Sequence, residues 1–314
     1  MPLHPALRQL CDAANEAAEA AADGPAPSTE ERLAAVRTGA EAFGALGAGP
    51  PEALHSVTDH VADGPHGPIP VRVYRPTAAD SAPLVVYYHG GGFVSGSVEA
   101  WDGLCRRIAK ASGAVVVSVD YRLAPEHPYP VGLDDSHAAL MWAAANAPAL
   151  GADGDRVAVA GDSAGGNLAA AVALRARAEG PAIRAQVLVY PAVSPECSSE
   201  SMVTNGAGYL LTSDSMRAMW DWYLGPDGDR NDAYAAIDRA ADYSGLPPAL
   251  VLTADYDPLR DEGERYASLL EGFGIETTLT RYDGMIHGFF GLREIVPDSD
   301  RAVAEVAAFL RTRL

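Results

Sequence analysis

Arg156-Val157-Ala158-Val159-Ala160-Gly161-Asp162-Ser163-Ala164-Gly165-Gly166-Asn167-Leu168-Ala169-Ala170-Ala171-Val172 reads as a strand, a tight turn and a helix in immediate succession. Val157–Ala160 is a short apolar run, and Asn167–Arg177 is rich in helix formers. Between them lies G-x-S-x-G. A serine on so sharp a strand-to-helix turn needs a strained backbone, and the neighbouring chain must come close. Small residues two before and two after it, Gly161 and Gly165, meet both needs. The helix start adds N–H dipoles that favour developing negative charge. Ser163 is therefore a candidate nucleophile.

Outward from this turn the same alternation repeats. Short apolar runs at Leu84–Tyr88, Ala114–Val119, Ala185–Tyr190 and Ala249–Ala254 are strand candidates, with Ile275–Arg281 a last, more polar one. Helical stretches separate them, at Trp101–Ala111, Leu133–Ala147, Leu259–Phe273 and Ser299–Arg313. Continuous apolar strands alternating with helices indicate an α/β fold with a mostly parallel sheet covered on both faces. Earlier, His55–Ala62 and Ile69–Arg75 flank the turn cluster Asp63–Pro68 and suggest an antiparallel pair. Residues 1–50 read as two helices, Pro5–Ala22 and one opened by Ser28, which forms a capping box with Glu31, before Gly47–Pro51 breaks the pattern. Residues 51–314 form the catalytic domain. Within it the alternation lapses at 191–247, which reads as an insertion packing with the N-terminal helices as a cap. The plainer reading is a helical excursion around its own apolar core.

The chain has 314 residues, enough to bury roughly three quarters of its unfolded surface without disulfides or metal. Its 48% hydrophobic and 21% charged residues exclude wholesale disorder. With 23 basic and 42 acidic residues the net charge is −19, which disfavours nucleic acid and anionic membrane surfaces as partners. Three scattered cysteines suggest reduced thiols. The N-terminus lacks a basic and apolar leader, and no run of 18 apolar residues occurs, so a cytoplasmic protein without a membrane span is expected. No H-E-x-x-H, C-x-x-C or EF-hand pattern is present, so no metal and no cofactor are expected.

His89-Gly90-Gly91-Gly92 follows the strand Leu84–Tyr88. Acyl transfer needs backbone N–H groups aimed at an oxyanion, and a glycine run after a strand supplies them; Ala164 N–H would be the further donor. A dinucleotide turn fits less well, because the glycine spacing fails at Ser95. A serine hydroxyl needs a base, and the base an orienting acid. Of eight histidines, His287 lies after the last strand candidate and before the last helix, in the chain order Ser…Asp…His. The loop after Ala249–Ala254 offers Asp255, Asp257 and Asp261. Asp257 stands before Pro258, where the chain turns from strand to helix, with Asp255 the alternative.

Together, His89-Gly90-Gly91-Gly92-Phe93, Asp120–Pro128, Gly161–Asn167, Asp257-Pro258-Leu259-Arg260-Asp261 and His287-Gly288-Phe289 resemble the bacterial hormone-sensitive-lipase-like (family IV) esterases of the α/β-hydrolase superfamily. The resemblance runs from about Pro70 to the C-terminus. It implies an eight-stranded, mostly parallel sheet with helices on both faces and a helical cap. It implies Ser163 as nucleophile, Asp257 as acid, His287 as base, and Gly90, Gly91 and Ala164 as oxyanion donors. Tyr121–Pro128 would be a scaffold beside the site. The implied activity is cofactor-free hydrolysis of short- to medium-chain acyl esters, with a small-molecule ester substrate and a homodimer as the expected assembly. A deacetylase or amidase of one metabolite, or a non-catalytic binding protein on the same fold, are the alternatives. Phe93, Trp101, Tyr209, Leu210, Phe289 and Phe290 are candidate apolar walls.

Overall fold

The computed structural model describes residues 1–22, 26–47 and 49–314. Two helices come first, α1 (Pro5–Ala22) and α2 (Thr29–Gly47). The capping box is formed: Ser28 N–H donates to Glu31 at 2.8 Å and Glu31 N–H donates to Ser28 Oγ at 3.2 Å. Of the break at Gly47–Pro51, residue 48 lies outside the described residues.

Eight strands then form one sheet: β1 (Ser56–Ala62), β2 (Ile69–Arg75), β3 (Ala82–Tyr88), β4 (Val115–Val119), β5 (Ala152–Asp162), β6 (Ile183–Val189), β7 (Ala249–Tyr256) and β8 (Thr277–Ile286). The spatial order is β1-β2-β4-β3-β5-β6-β7-β8. The expected hairpin is real, with Ser56 opposite Arg75 and Ala62 opposite Ile69. From β4 onward all neighbours run parallel. The connecting helices are α3 (Asp102–Ser112), α4 (Val131–Asn146), α5 (Ala164–Glu179), α8 (Arg260–Gly272) and α9 (Asp298–Arg313), with α6 (Glu200–Thr204) and α7 (Ser213–Leu224) between β6 and β7.

The apolar strands bury both faces, as continuous runs must. Leu84, Val86 and Tyr88 join one core with α4 and α5, while Val85 and Tyr87 join a second with α3 and α9. β8 begins later and runs further than the sequence suggests, because its Ile286 still pairs with Tyr256. Thr278, Arg281 and Asp283 are exposed at the sheet's edge, and the extension carries the chain straight to His287. In segment 191–247, Trp220 and Tyr223 turn inward onto Phe93, whose ring stacks on Tyr223 at 3.8 Å. That segment thus shares its core with the sheet rather than keeping one of its own.

Candidate active site

β5 ends at Asp162 and α5 starts at Ala164, so Ser163 is the whole turn between them. Its φ of 57° and ψ of −121° lie in a region that costs a non-glycine residue about 1–3 kcal/mol. Its N–H donates to Val189 O on β6 at 2.8 Å, and its carbonyl accepts the Asn167 N–H at 3.1 Å as α5 begins. A Cβ at Gly165 would overlap the carbonyl oxygen of Tyr88, and one at Gly161 that of Gly165. Both glycines are therefore obligatory for close approach, as the sequence suggests.

Three loops at the carboxyl ends of the strands meet at this serine. Ser163 Oγ lies 2.9 Å from His287 Nε2, and His287 Nδ1 lies 2.8 Å from Asp257 Oδ2. With the proton on Nδ1, the ring donates to Asp257 and accepts from Ser163. Asp257 is fully buried. Its Oδ1 accepts the N–H of Leu259 at 2.8 Å, and Asn205 Nδ2 donates to its carbonyl at 3.2 Å. Asp255, the alternative, points elsewhere: it takes the N-terminal ammonium at 3.4 Å and the Gly284 N–H at 3.3 Å. Tyr190, also strained with φ of 35°, rests its ring 4.5 Å from that of His287.

The glycine loop corrects one expected donor. Gly90 N–H donates to Asp162 Oδ1 at 3.1 Å and is not free for an oxyanion. The same oxygen accepts Tyr87 OH at 2.7 Å and Trp101 Nε1 at 2.9 Å. Burial pushes the Asp162 carboxyl up to about 6, against the pull of these donors. The N–H groups of Gly91, Gly92 and Ala164 have no acceptor among the described residues. Gly91 and Gly92 line the cavity beside Ser163, whereas Gly90 does not. The Asp120–Pro128 segment braces this loop: Tyr121 OH donates to His89 O at 2.8 Å, and Ala124 N–H to Phe93 O at 3.0 Å.

Above Ser163 opens a cavity of about 410 Å³. Four expected wall residues are not in its lining. Phe93, Phe289 and Phe290 are buried in the core, and Tyr209 packs on Tyr256. Large aromatics at strand and turn ends complete the core first, which sequence alone does not separate from lining a pocket. Trp101 and Leu210 do line it. The missed walls come from α2 (Val36, Ala40, Phe43) and α7 (Met216, Met219). Val36, Gly39, Ala40 and Phe43 follow the i, i+3, i+4, i+7 stripe of an inward helix face, the signal that could have found them.

Arg37 ties this roof to the loops beneath it. Arg37 on α2 donates to Val94 O at 2.9 Å and Ala124 O at 3.2 Å and forms a two-pronged pair with Glu126 at 2.6 and 2.8 Å. Where the chain leaves β6, buried Glu262 accepts Val193 N–H at 2.7 Å. Burial pushes this carboxyl up to about 8, against the pull of the Val193 and Ser194 N–H groups and of Arg265. Among the described residues no helix is long and apolar enough to cross a membrane.

Residues 85–291 match a protein family described as alpha/beta hydrolase fold. The chain is 44% identical over 263 residues to esterase LipI of Mycobacterium tuberculosis, covering 82% of each protein. It is 45% identical over 252 residues to carboxylesterase NlhH of the same species, covering 78% of this chain and 79% of that one. A hyperthermophilic esterase from the archaeon Pyrobaculum calidifontis superposes with a TM-score of 0.90 at 44% identity, covering 99% of both chains.

Proposed function

Since the chain belongs to the alpha/beta hydrolase fold family, in its hormone-sensitive-lipase-like branch, we propose that Ser163, His287 and Asp257 are the working triad of a carboxylesterase. The observation that carries this reading is the continuous Asp257–His287–Ser163 hydrogen-bond relay at 2.8 and 2.9 Å. Ser163 Oγ attacks the ester carbonyl as His287 Nε2 takes its proton. Asp257 holds the ring's tautomer and stabilises the imidazolium. The N–H groups of Gly91, Gly92 and Ala164 hold the oxyanion, each worth roughly 10²–10³ in rate. His287 then protonates the leaving alcohol, and water, activated in the same way, releases the acid.

The apolar walls and the net charge of −19 favour neutral esters over anionic ones. Residues 1–50 and 191–247 together serve as the cap, since α2 and α7 both line the cavity. The reading extends to a cytoplasmic homodimer joined along β8, the edge strand on which Leu279 is exposed.

The test is hydrolysis of p-nitrophenyl esters from acetate to laurate by wild type and Ser163→Ala. Turnover concentrated on short and medium chains and abolished in the folded variant is the expected result. Near-normal turnover by the variant, or none by the wild type, overturns the reading; matched amides distinguish an amidase.

A further inference from the structure

Among the described residues, six glycines line the cavity: Gly39, Gly44, Gly91, Gly92, Gly288 and Gly291. Four have a local reason to be glycine. Gly91, Gly92 and Gly288 have positive φ, and a Cβ at Gly44 would sit 2.7 Å from Ala100 O. Gly39 and Gly291 have neither reason. Their φ values are not positive, and a Cβ at either would meet nothing within 4 Å. Gly39 even stands in the interior of α2, where glycine is among the least favourable choices. Backbone geometry and packing leave these two glycines unexplained; the open space in front of them does explain them.

The space lies on one side of the site. Gly291 follows His287 on the same loop and is held by its N–H to Gly288 O at 3.1 Å. Phe43 packs on this loop, with its Cζ only 2.7 Å from where a Gly288 Cβ would be. Gly39 precedes Phe43 by four residues and so shares its helix face. His287 Nε2 must deliver a proton to the leaving oxygen, so the alcohol part of an ester lies against this wall.

We propose that Gly39 and Gly291 are specificity-determining residues, whose missing side chains leave the room for the alcohol part of esters that reach well beyond ethyl. This rests on the esterase reading above. The test is kcat/KM on alkyl acetates from ethyl to hexyl for wild type, Gly39→Leu and Gly291→Leu, with Gly39→Ala and Gly291→Ala as variants that add only a methyl. In the leucine variants the hexyl-to-ethyl ratio of kcat/KM falls about fourfold for each methylene that no longer fits. Gly39→Ala is expected to melt higher than wild type, as alanine does in a helix interior. An unchanged hexyl-to-ethyl ratio in both folded leucine variants overturns the proposal, as does a parallel loss of both esters. If the leucine variants fail to fold, the alanine variants decide by the same ratio, with a smaller expected drop. A wild type inactive on every acetate overturns the esterase reading and this inference with it.

Discussion

Replacing Asp257 by asparagine separates the electrostatics of the triad from its packing. The side chain is buried and its backbone carbonyl is tied to Asn205, so the exchange leaves the loop in place. Oδ1 must stay an oxygen, because it accepts the Leu259 N–H at 2.8 Å. The new NH₂ group therefore faces His287 Nδ1 and forces that nitrogen to be an acceptor. The ring proton moves to Nε2, which can no longer take the proton of Ser163. Flipping the amide would restore the tautomer but leave the Leu259 N–H facing a donor, at a cost of about 1–3 kcal/mol. Even flipped, the neutral amide cannot stabilise the imidazolium. Opposite charges at this 2.8 Å separation attract by about 6 kcal/mol at an effective dielectric of about 20. The expected loss in kcat is therefore about 10⁴, the size found for the same exchange in another Ser-His-Asp triad. The assay is kcat on p-nitrophenyl butyrate, with urea unfolding as the fold control and Asp255→Asn beside it. Asp255 sits in partly exposed contacts with the N-terminus and Gly284, so its exchange should leave kcat near wild type. An Asp257→Asn enzyme within tenfold of wild type, or a larger loss from Asp255→Asn, would refute the reasoning.

Ser163→Gly should unfold at higher urea than Ser163→Ala by about 1 kcal/mol, since glycine relieves the positive φ at some entropic cost; equal midpoints would mean the turn holds no strain. Glu262 provides a pH test. Its folded value of about 8 lies above the usual 4.5, so the native state holds a proton that the unfolded state releases. Wild-type stability therefore falls as pH rises from about 4.5 to 8, by up to about 1.4 kcal/mol per pH unit. Glu262→Gln keeps an acceptor for Val193 N–H and should lack this decline. Parallel stability curves for the two proteins across that window would count against it.

The strand–turn–helix at Ser163 and the glycine loop were legible because each is a local constraint, and the meeting of Ser163, Asp257 and His287 followed from the chain order of this fold type. A sharp turn demands glycine, and a proline fixes where a loop aspartate stands. The mostly parallel sheet followed from apolar runs that only a doubly covered sheet can bury, and its eight strands from the family resemblance. What was not legible depended on distant partners. Gly90 and Gly91 look equivalent in sequence, yet Asp162, 72 residues away from Gly90, occupies one N–H and leaves the other. Phe93 reads as a wall until Tyr223 is found stacked on it. Asp255 and Asp257 look alike in sequence, yet Asp255, still within β7, is taken by the N-terminal ammonium and the Gly284 N–H, while Asp257, just past the strand's end, meets His287.

Arg37 ties the roof helix to the carbonyl of Val94, just after the glycine loop, and to Ala124 and Glu126 of the segment that braces it. The N-terminal helices are consequently not a detachable module. Grafting those of a relative onto this sheet would replace Arg37, which grips the chain beside the loop proposed to hold the oxyanion donors. Such a chimera would change turnover along with substrate choice, and recombination within this family should find viable crossovers where α2 travels together with the Val94 and Ala124–Glu126 segments it clasps.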